Sequence, residues 1–196
     1  MTRRQKAYLP FKRLIDIFGS IIGIIVCFAL LWWWVIPVNA IASKGNPMFA
    51  RHRLGKNDKA FRCIKFRSMS KDADPHMSSS NENAQSYVTK FGKFLRVTSI
   101  DETPQLINIL CGSMSFIGPR PLIDISDDYV TINLRRENGA NTLRPGISGY
   151  AQVHGRTHVT KEAKGEMDGY YFKHFNFWMD AKIFIQSFFG VRNHGE

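Results

Sequence analysis

The sequence predicts a small, mainly helical α+β domain that follows a membrane-inserted helix and carries amphipathic helices at the bilayer interface. Three observations indicate this fold class. Residues 17–38 carry no ionisable side chain, residues 61–67 alternate apolar and polar side chains, and residues 91–97 and 106–110 place apolar side chains at helical spacing. We therefore expect a membrane segment over residues 1–43 and a compact domain with short strands over residues 44–196.

The composition indicates a polyanionic partner. Lys and Arg number 27 against 16 Asp and Glu, and the formal net charge is +11. Nucleic acid, an anionic bilayer and phosphorylated substrates all fit this charge. The three cysteines are widely spaced and form no C-x-x-C motif. A disulfide framework or a cysteine-rich zinc site is therefore not expected, and a reducing compartment is favoured.

The first element is the apolar run. As a helix, residues 17–38 would be roughly 33 Å long, which matches a hydrocarbon core of ~30 Å. Both flanks are basic, and the positive-inside rule then requires both ends to face the cytoplasm. A re-entrant hairpin meets this requirement, with its break near Pro37 because proline removes a backbone donor.

Two other interpretations of this run stay open. Residues 32–34 are three consecutive tryptophans, which would suit an interfacial belt on the far side of a simple span. Ala40-Ile41-Ala42 resembles the cleavage site of a signal peptide, although the apolar run is longer than the usual core of about 7–15 residues.

Further elements follow in the second domain. Residues 61–67 predict a strand with one basic face, and the polar residues 70–90 predict a mobile loop. Residues 91–97 predict an amphipathic helix, lying either at the bilayer interface or on the surface of a soluble domain. The aromatic residues of 168–189 suit an interfacial helix, and a buried core helix explains many of them equally well.

An acidic pair, Asp101 and Glu102, precedes a helix whose core face includes Leu106 and Ile109. At the positive end of the helix dipole both carboxylates should favour the ionised form, ready to act as a nucleophile or a cation ligand. A simpler explanation is that Glu102 caps the helix. The cap would be either a capping box from Ser99 or a start with Pro104 at the first helical position after Thr103.

Two rigid turns carry arginines. Arg120 stands between Pro119 and Pro121, so its backbone is restrained for gripping a phosphate. Arg144 precedes Pro145 in a glycine-containing turn, whose exposed N–H groups can line an anion site. Each motif alone is also explained as a structural turn.

Taken in order, these segments resemble the bacterial sugar transferase family, the monotopic phosphoglycosyl transferases. The matching stretches cover nearly the whole chain: Lys12-Arg13-Leu14-Ile15-Asp16, Lys65-Phe66-Arg67-Ser68-Met69, Phe91-Gly92-Lys93 through Arg96, Ile100-Asp101-Glu102 with Pro104-Gln105-Leu106, Met114-Ser115-Phe116-Ile117-Gly118-Pro119-Arg120-Pro121, Arg144-Pro145-Gly146-Ile147-Ser148-Gly149, and Asp168 with Tyr170-Tyr171. Linked motifs in one order are more specific than any single motif, which weakens the capping explanation of Glu102.

The resemblance implies transfer of a phospho-sugar from a UDP-sugar to polyprenyl phosphate, with undecaprenyl phosphate as the expected form. The reaction is expected at the cytoplasmic face of the bacterial inner membrane. By the same resemblance Asp101 is the nucleophile and Glu102 the Mg²⁺ ligand, as expected for hard oxygen donors. Expected partners are the two substrates and membrane lipid, without nucleic acid; the oligomeric state, including a homo-oligomer, stays open. The substrate- and phosphate-binding candidates are Lys65, Arg67, Arg96, Arg120, Arg144 and Arg156. Asp168, Tyr171 and Gln105 are second-tier candidates for the site, without an assigned role.

Two departures from the family pattern stand out. The usual Ser-Pro pair in the membrane helix is replaced by Phe28-Ala29-Leu30, and the usual Leu after the acidic pair is replaced by Thr103. The alternative to an enzyme is a non-catalytic basic protein, anchored in the membrane as a binding or scaffold protein. That alternative explains the charge and gives no reason for adjacent carboxylates in a basic site.

Overall fold

The computed structural model describes residues 1–72, 86–124, 128–155 and 159–190. The helices are α1 (Arg3–Cys27), α2 (Trp33–Ser43), α3 (Lys90–Val97), α4 (Gln105–Cys111), α5 (Tyr129–Asn138), α6 (Tyr150–His154), α7 (Lys161–His174) and α8 (Phe177–Gly190). The strands are β1 (Met48–Leu54), β2 (Ala60–Phe66), β3 (Ser115–Ile117) and β4 (Gly146–Ser148), and 3-10 turns cover Lys56–Asp58, Ile100–Glu102 and Ala140–Thr142. The predicted α+β class, mainly helical with short strands, is confirmed.

The N-terminal apolar segment is one helical run of 41 residues, long and apolar enough by composition to cross a membrane. A capping box starts it: the Thr2 N–H donates to Gln5 Oε1 at 2.8 Å, and the Gln5 N–H donates to Thr2 Oγ1 at 3.3 Å. Because both orphan donors are satisfied, the helix begins at Arg3 without fraying.

The interruption of this helix lies elsewhere than predicted. Pro37 lies within α2, which continues to Ser43 and ends at Lys44 in the left-handed conformation. A π-helical turn occupies Phe28–Trp32 instead, between α1 and α2. Proline costs only one hydrogen bond and is tolerated here, whereas a π-turn changes the hydrogen-bond register and rotates the side chains that follow it.

Two small sheets form the β structure. β1 and β2 pair antiparallel, with Met48 opposite Phe66 and Leu54 opposite Ala60. β3 and β4 pair parallel, with Ser115 opposite Gly146. The predicted strand over residues 61–67 is therefore confirmed, with its end at Phe66 instead of Arg67.

The helical run packs along the rest of the protein over most of its length. At its start the Gln5 Nε2 group donates to the carbonyl of Phe172 at 2.9 Å. Close approach is possible at Gly19, where an added Cβ would lie 2.7 Å from the Phe116 ring. Further along, Trp32 and Val35 are buried in a cluster with Phe66 and Leu95 of the domain. One face of the run is therefore a structural part of the domain.

Two predictions about later segments need comment. Residues 168–189 are not one helix, because α7 ends at His174 and Asn176 starts α8 by accepting from the Met179 N–H at 3.0 Å. Of the loop predicted over 70–90, residues 73–85 lie outside the described residues. Its described ends are joined by a bridge between Met69 and Val88.

Candidate active site

The acidic pair lies in the 3-10 turn Ile100–Glu102, between α3 and α4. Ser99 enters this turn with φ 56°, a left-handed conformation that is uncommon for residues other than glycine. Neither predicted cap forms: Ser99 makes no side-chain cap bond, and α4 has Pro104 at its N-cap without one. The Glu102 side chain is directed to two cations of other segments, so capping does not explain it.

Glu102 is held by Lys65 and Arg120. Its Oε1 atom lies 2.5 Å from Lys65 Nζ of β2 and 3.3 Å from Arg120 Nη2 of the loop after β3. The Glu102 side chain keeps 20% of its surface exposed, and that of Arg120 keeps 51%. Both cations contact the same oxygen, Oε1. The carboxylate is thus held in place by two cations from other segments.

The two carboxylates have opposite electrostatic character. Burial raises the pKa of Glu102, but Arg120 and Lys65 outweigh it and bring the pKa down to about 2. Asp101 is only 9% exposed. Burial raises the pKa of Asp101 to about 6, helped by the charge of Glu102 and opposed by Lys65, Arg96 and Arg120.

The expectation that the helix dipole favours the ionised form of both side chains is therefore wrong for Asp101. Desolvation exceeds the attraction of the nearby cations, because Lys65 and Arg120 are already paired with Glu102. For Glu102 the direction is right, but the cause is the two ion pairs. A pair of carboxylates with separated pKa values is typical of sites that divide chemical roles between them.

The predicted cations are only partly brought together. Lys65 and Arg120 contact Glu102. The charge of Arg96 lowers the pKa of Asp101, and the Arg96 Nε group donates to Ser68 Oγ at 2.8 Å. Arg67 Nε donates to the Asn46 carbonyl at 2.9 Å, and its guanidinium lies over the Phe49 ring. Arg67 is thus partly used by its own segment.

Arg144 lies in a different place from the acidic pair. Its Nε donates to the carbonyl of Gly112 at 2.8 Å, and it lines a cavity of about 330 Å³ between α1 and the domain. Asp16 of α1 also lines this cavity. Arg156 lies outside the described residues, so its predicted role stays a prediction.

A buried ion pair between Arg135 and Asp168 contacts the backbone of Arg120. Asp168 of α7 accepts from Arg135 of α5, with Nε at 2.8 Å and Nη2 at 2.6 Å from Oδ2. The Nη1 group of Arg135 donates to the Arg120 carbonyl at 2.9 Å. Asp168 therefore acts on the site through Arg135, a residue that the sequence analysis missed. Its one signal was a charged residue on the same helix face as Thr131 and Ile132, which are buried.

The remaining predicted residues have structural surroundings. The Tyr171 hydroxyl donates to Asp180 Oδ1 at 2.6 Å, and Asp180 also accepts from Tyr8 and Lys12 of α1. Tyr171 thus belongs to the contact that attaches α1 to α7 and α8. Gln105 is 2% exposed at the start of α4, three residues after Glu102.

A cation site made of protein ligands alone is not found in the described part of the chain: no group of three or more His, Cys, Asp or Glu side chains is suitably placed. The two carboxylates of Asp101 and Glu102 suit Mg²⁺ better than zinc. Mg²⁺ usually binds one or two carboxylates together with substrate phosphates, whereas structural zinc needs a closed set of protein ligands. The Glu102 carboxylate is a donor of the kind that Mg²⁺ takes.

Comparison with known proteins identifies the family. The model described as "Bacterial sugar transferase" matches residues 7–194, nearly the whole chain. The chain belongs to the bacterial sugar transferase family. The acidic pair, the ion-paired Glu102 and the braced Arg120 are thus features of a sugar transferase domain.

Individual relatives agree with this assignment. The chain is 36% identical over 187 residues to the UDP-N-acetylgalactosamine-undecaprenyl-phosphate N-acetylgalactosaminephosphotransferase of Aeromonas hydrophila, covering 92% of this chain and 43% of that protein. It is 35% identical over 193 residues to the UDP-glucose:undecaprenyl-phosphate glucose-1-phosphate transferase of Klebsiella pneumoniae, covering 94% and 41%. It is 34% identical over 173 residues to the uncharacterized sugar transferase EpsL of Bacillus subtilis, covering 88% and 82%. The chain therefore spans about two fifths of the first two relatives and most of the third.

The separated pKa values predict that neutralising each carboxylate changes stability in opposite directions. The unfolded chain binds a proton at Asp101 near the ordinary value of 3.8, and the folded chain binds it near 6. Folded-state stability therefore falls as the pH rises through this interval. Asp101→Asn should stabilise the metal-free protein by about 2 kcal/mol at pH 8, with the gain approaching zero near pH 4.

Glu102→Gln should destabilise the protein at pH 8 by about 1–3 kcal/mol, because Lys65 and Arg120 lose their partner. Thermal unfolding with a chelator present measures both changes, and Glu137→Gln, at an exposed position of α5, is the matched control. A destabilised Asp101→Asn protein at pH 8, or a gain that does not vary with pH, would contradict this assignment.

Proposed function

We propose that this protein transfers a phospho-sugar from a UDP-sugar to undecaprenyl phosphate, giving undecaprenyl diphosphate sugar and UMP. The names of the relatives from A. hydrophila and K. pneumoniae include both a UDP-sugar and undecaprenyl phosphate. The observation that carries the proposal is the buried Asp101 beside an ion-paired Glu102. The transferred sugar is left open, because the relatives named here differ in it.

In the first step, a carboxylate oxygen of Asp101 attacks the phosphorus atom that bears the sugar. A bond forms between this oxygen and phosphorus, and the bond from phosphorus to the bridging oxygen of the diphosphate breaks. UMP leaves with that oxygen and its electron pair. The product on the protein is an acyl phosphate that carries the sugar, which divides the transfer into two displacements.

In the second step, a phosphate oxygen of undecaprenyl phosphate attacks the same phosphorus atom. The bond from phosphorus to the Asp101 oxygen breaks, and the carboxylate is restored with its charge. The acceptor phosphate becomes part of the new diphosphate. Because no net proton is required in either displacement between ionised groups, a separate general base is not needed.

The electrostatics of the site suit a nucleophilic Asp101. With a pKa of about 6, Asp101 is mostly ionised at neutral pH, and its burial leaves it poorly solvated and hence more reactive. Glu102, with a pKa of about 2, is fully ionised at neutral pH. A buried carboxylate of this kind is costly for a protein that only binds or scaffolds, so the non-catalytic alternative is not favoured.

Mg²⁺ is the cofactor that we propose, with Glu102 as its protein ligand. When bound, Mg²⁺ neutralises charge on the diphosphate and so favours departure of UMP. Arg120 is half exposed and contacts Glu102 at 3.3 Å, so it can exchange this contact for a substrate phosphate. Lys65 then remains to hold Glu102 in position. Arg96, whose charge lowers the pKa of Asp101, is assigned to the transferred phosphoryl group.

The membrane segment is proposed to be re-entrant, with both ends on the side of the catalytic domain. The contacts at Gln5, Gly19 and Trp32 are all made with the same domain. A helix crossing the bilayer would carry the Trp32 contact, and with it the acidic turn, into the hydrocarbon region. That position is excluded for ionised side chains and irregular backbone exposed to lipid.

The outer face of the helical run is the surface that lipid would cover. Large apolar side chains on it are exposed: Phe11, Leu14, Ile15, Phe18, Ile21, Ile22, Ile25, Val26, Phe28, Leu30, Trp33, Val38 and Ile41. α3 and α8 add Phe94, Val97, Trp178 and Ile185. So many exposed large apolar side chains are unusual for a protein in water. We infer that the domain rests on the cytoplasmic face of the inner membrane, with α3 and α8 at the interface.

Activity is tested by UMP release from a panel of UDP-sugars in the presence of undecaprenyl phosphate and Mg²⁺. We expect the wild type to release UMP with at least one sugar, and Asp101→Asn to lose on the order of a thousandfold or more. A chelator should silence the wild type, and Glu102→Gln should lose activity or metal dependence. Glu137→Gln is again the control, and full activity of Asp101→Asn would remove Asp101 as the nucleophile.

Topology is tested by thiol labelling. In a chain whose three natural cysteines are replaced by serine, Arg3→Cys and Lys44→Cys should react with an impermeant reagent from the same side of the membrane. A chain that keeps only Cys111, which is exposed on α4, marks the side of the catalytic domain. Labelling of residues 3 and 44 from opposite sides would establish a simple span.

A further inference from the structure

The indole of Trp32 contacts the residue that follows the acidic pair. Its Nε1–H donates to Thr103 Oγ1 at 2.9 Å, and the Thr103 hydroxyl donates in turn to the carbonyl of Ile100 at 2.9 Å. Ile100 is the first residue of the turn that holds both carboxylates. One hydroxyl thus links the membrane segment to the two ends of that turn.

Trp32 is itself firmly held. It is 6% exposed and packs edge-on against Phe66 of β2, with ring centroids 6.1 Å apart. It also belongs to the buried cluster that contains Leu95 of α3. Trp32 is the last residue of the π-helical turn, so the altered helical register helps to set the direction of its ring.

The neighbouring tryptophans have different surroundings. Trp33 is 65% exposed, and Trp34 donates to the Leu30 carbonyl of its own helical run at 3.0 Å. Of these three adjacent indoles, Trp32 is the one that donates to the acidic turn. A general aromatic belt would not require this difference.

The turn needs such support because its backbone is strained. Ser99 holds φ 56°, a conformation that persists when the surrounding structure imposes it. The Thr103 hydroxyl has its donor and its acceptor capacity both used, so its orientation is fixed. Removal of the Thr103 hydroxyl would leave the N–H of the buried Trp32 without its acceptor, and removal of the indole would take away one restraint on the turn.

We propose that Trp32 is a positioning residue that acts through Thr103 to hold the acidic turn in register with the membrane segment. Trp32 touches neither carboxylate and acts on them only through the backbone of the turn. The expected effect on kcat rests on the proposed function. The expected effect on the mobility of residues 99–103 rests on the geometry alone. It connects the depth and orientation of the apolar helix to the placement of Asp101 and Glu102.

The kinetic test uses two substitutions that remove the hydrogen bond: Thr103→Val keeps the size of its side chain, and Trp32→Phe keeps an aromatic ring. Trp32→Phe and Thr103→Val should each lower kcat by about fivefold, with the KM for the UDP-sugar unchanged. The double variant should be no worse than either single one, because both remove the same link. Thr103→Ser keeps the hydroxyl and should stay near the wild type, and Trp34→Phe is the control with an indole N–H that bonds within its own helix.

Amide hydrogen exchange of residues 99–103 is the second measurement, and it does not depend on turnover. Exchange should be faster in Trp32→Phe and Thr103→Val, and unchanged in Thr103→Ser and Trp34→Phe. Wild-type kcat in either of the first two variants, additive losses in the double variant, or unchanged exchange would overturn the proposal. If the wild type released no UMP with any sugar, the proposed function would fail, and hydrogen exchange alone would decide whether the link positions the turn.

Discussion

The ion pairs of Glu102 are the interaction on which the site depends. They allow two adjacent carboxylates, Asp101 and Glu102, to have pKa values well apart. Lys65 and Arg120 contact one oxygen of Glu102 and hold it ionised. Asp101, next to it in the chain, is buried and forms no ion pair of its own with the described residues. Desolvation then dominates its pKa. Glu102 is thus held ionised by its ion pairs, and an ionised Asp101 is poorly stabilised, which suits the role of nucleophile that we propose for it.

Much of the fold serves to bring these partners to the turn. β2 supplies Lys65, and the loop after β3 supplies Arg120, whose carbonyl is held by the buried pair of Arg135 and Asp168. The membrane segment reaches the same turn through Trp32. The site is therefore assembled from segments that are distant in sequence, so its geometry depends on the packing of the whole domain.

The charged residues of the site could be predicted from the sequence more fully than the contacts that hold them in place. Asp101, Glu102, Lys65 and Arg120 are predicted from linked motifs that resemble those of a family, because each local pattern alone also fits a helix cap or a structural turn. The structure brings Lys65 and Arg120 into contact with Glu102. The pair of Arg135 with Asp168 and the bond of Trp32 to Thr103 join residues 33 and 71 positions apart, and no local pattern reports them. The helix break was misplaced for a related reason. Proline is a local signal, but tertiary contacts stabilise the π-turn at Phe28–Trp32.

The central claim is that Asp101 takes the phospho-sugar onto itself before the lipid acceptor is engaged. The most direct measurement is mass spectrometry of the protein incubated with its UDP-sugar and Mg²⁺ in the absence of undecaprenyl phosphate, followed by hydroxylamine, which converts an acyl phosphate to a hydroxamate. We expect one phospho-sugar added per chain before hydroxylamine treatment, and a hydroxamate at Asp101 after it. An adduct on another residue, or UMP release that requires the acceptor and leaves no adduct, would contradict it.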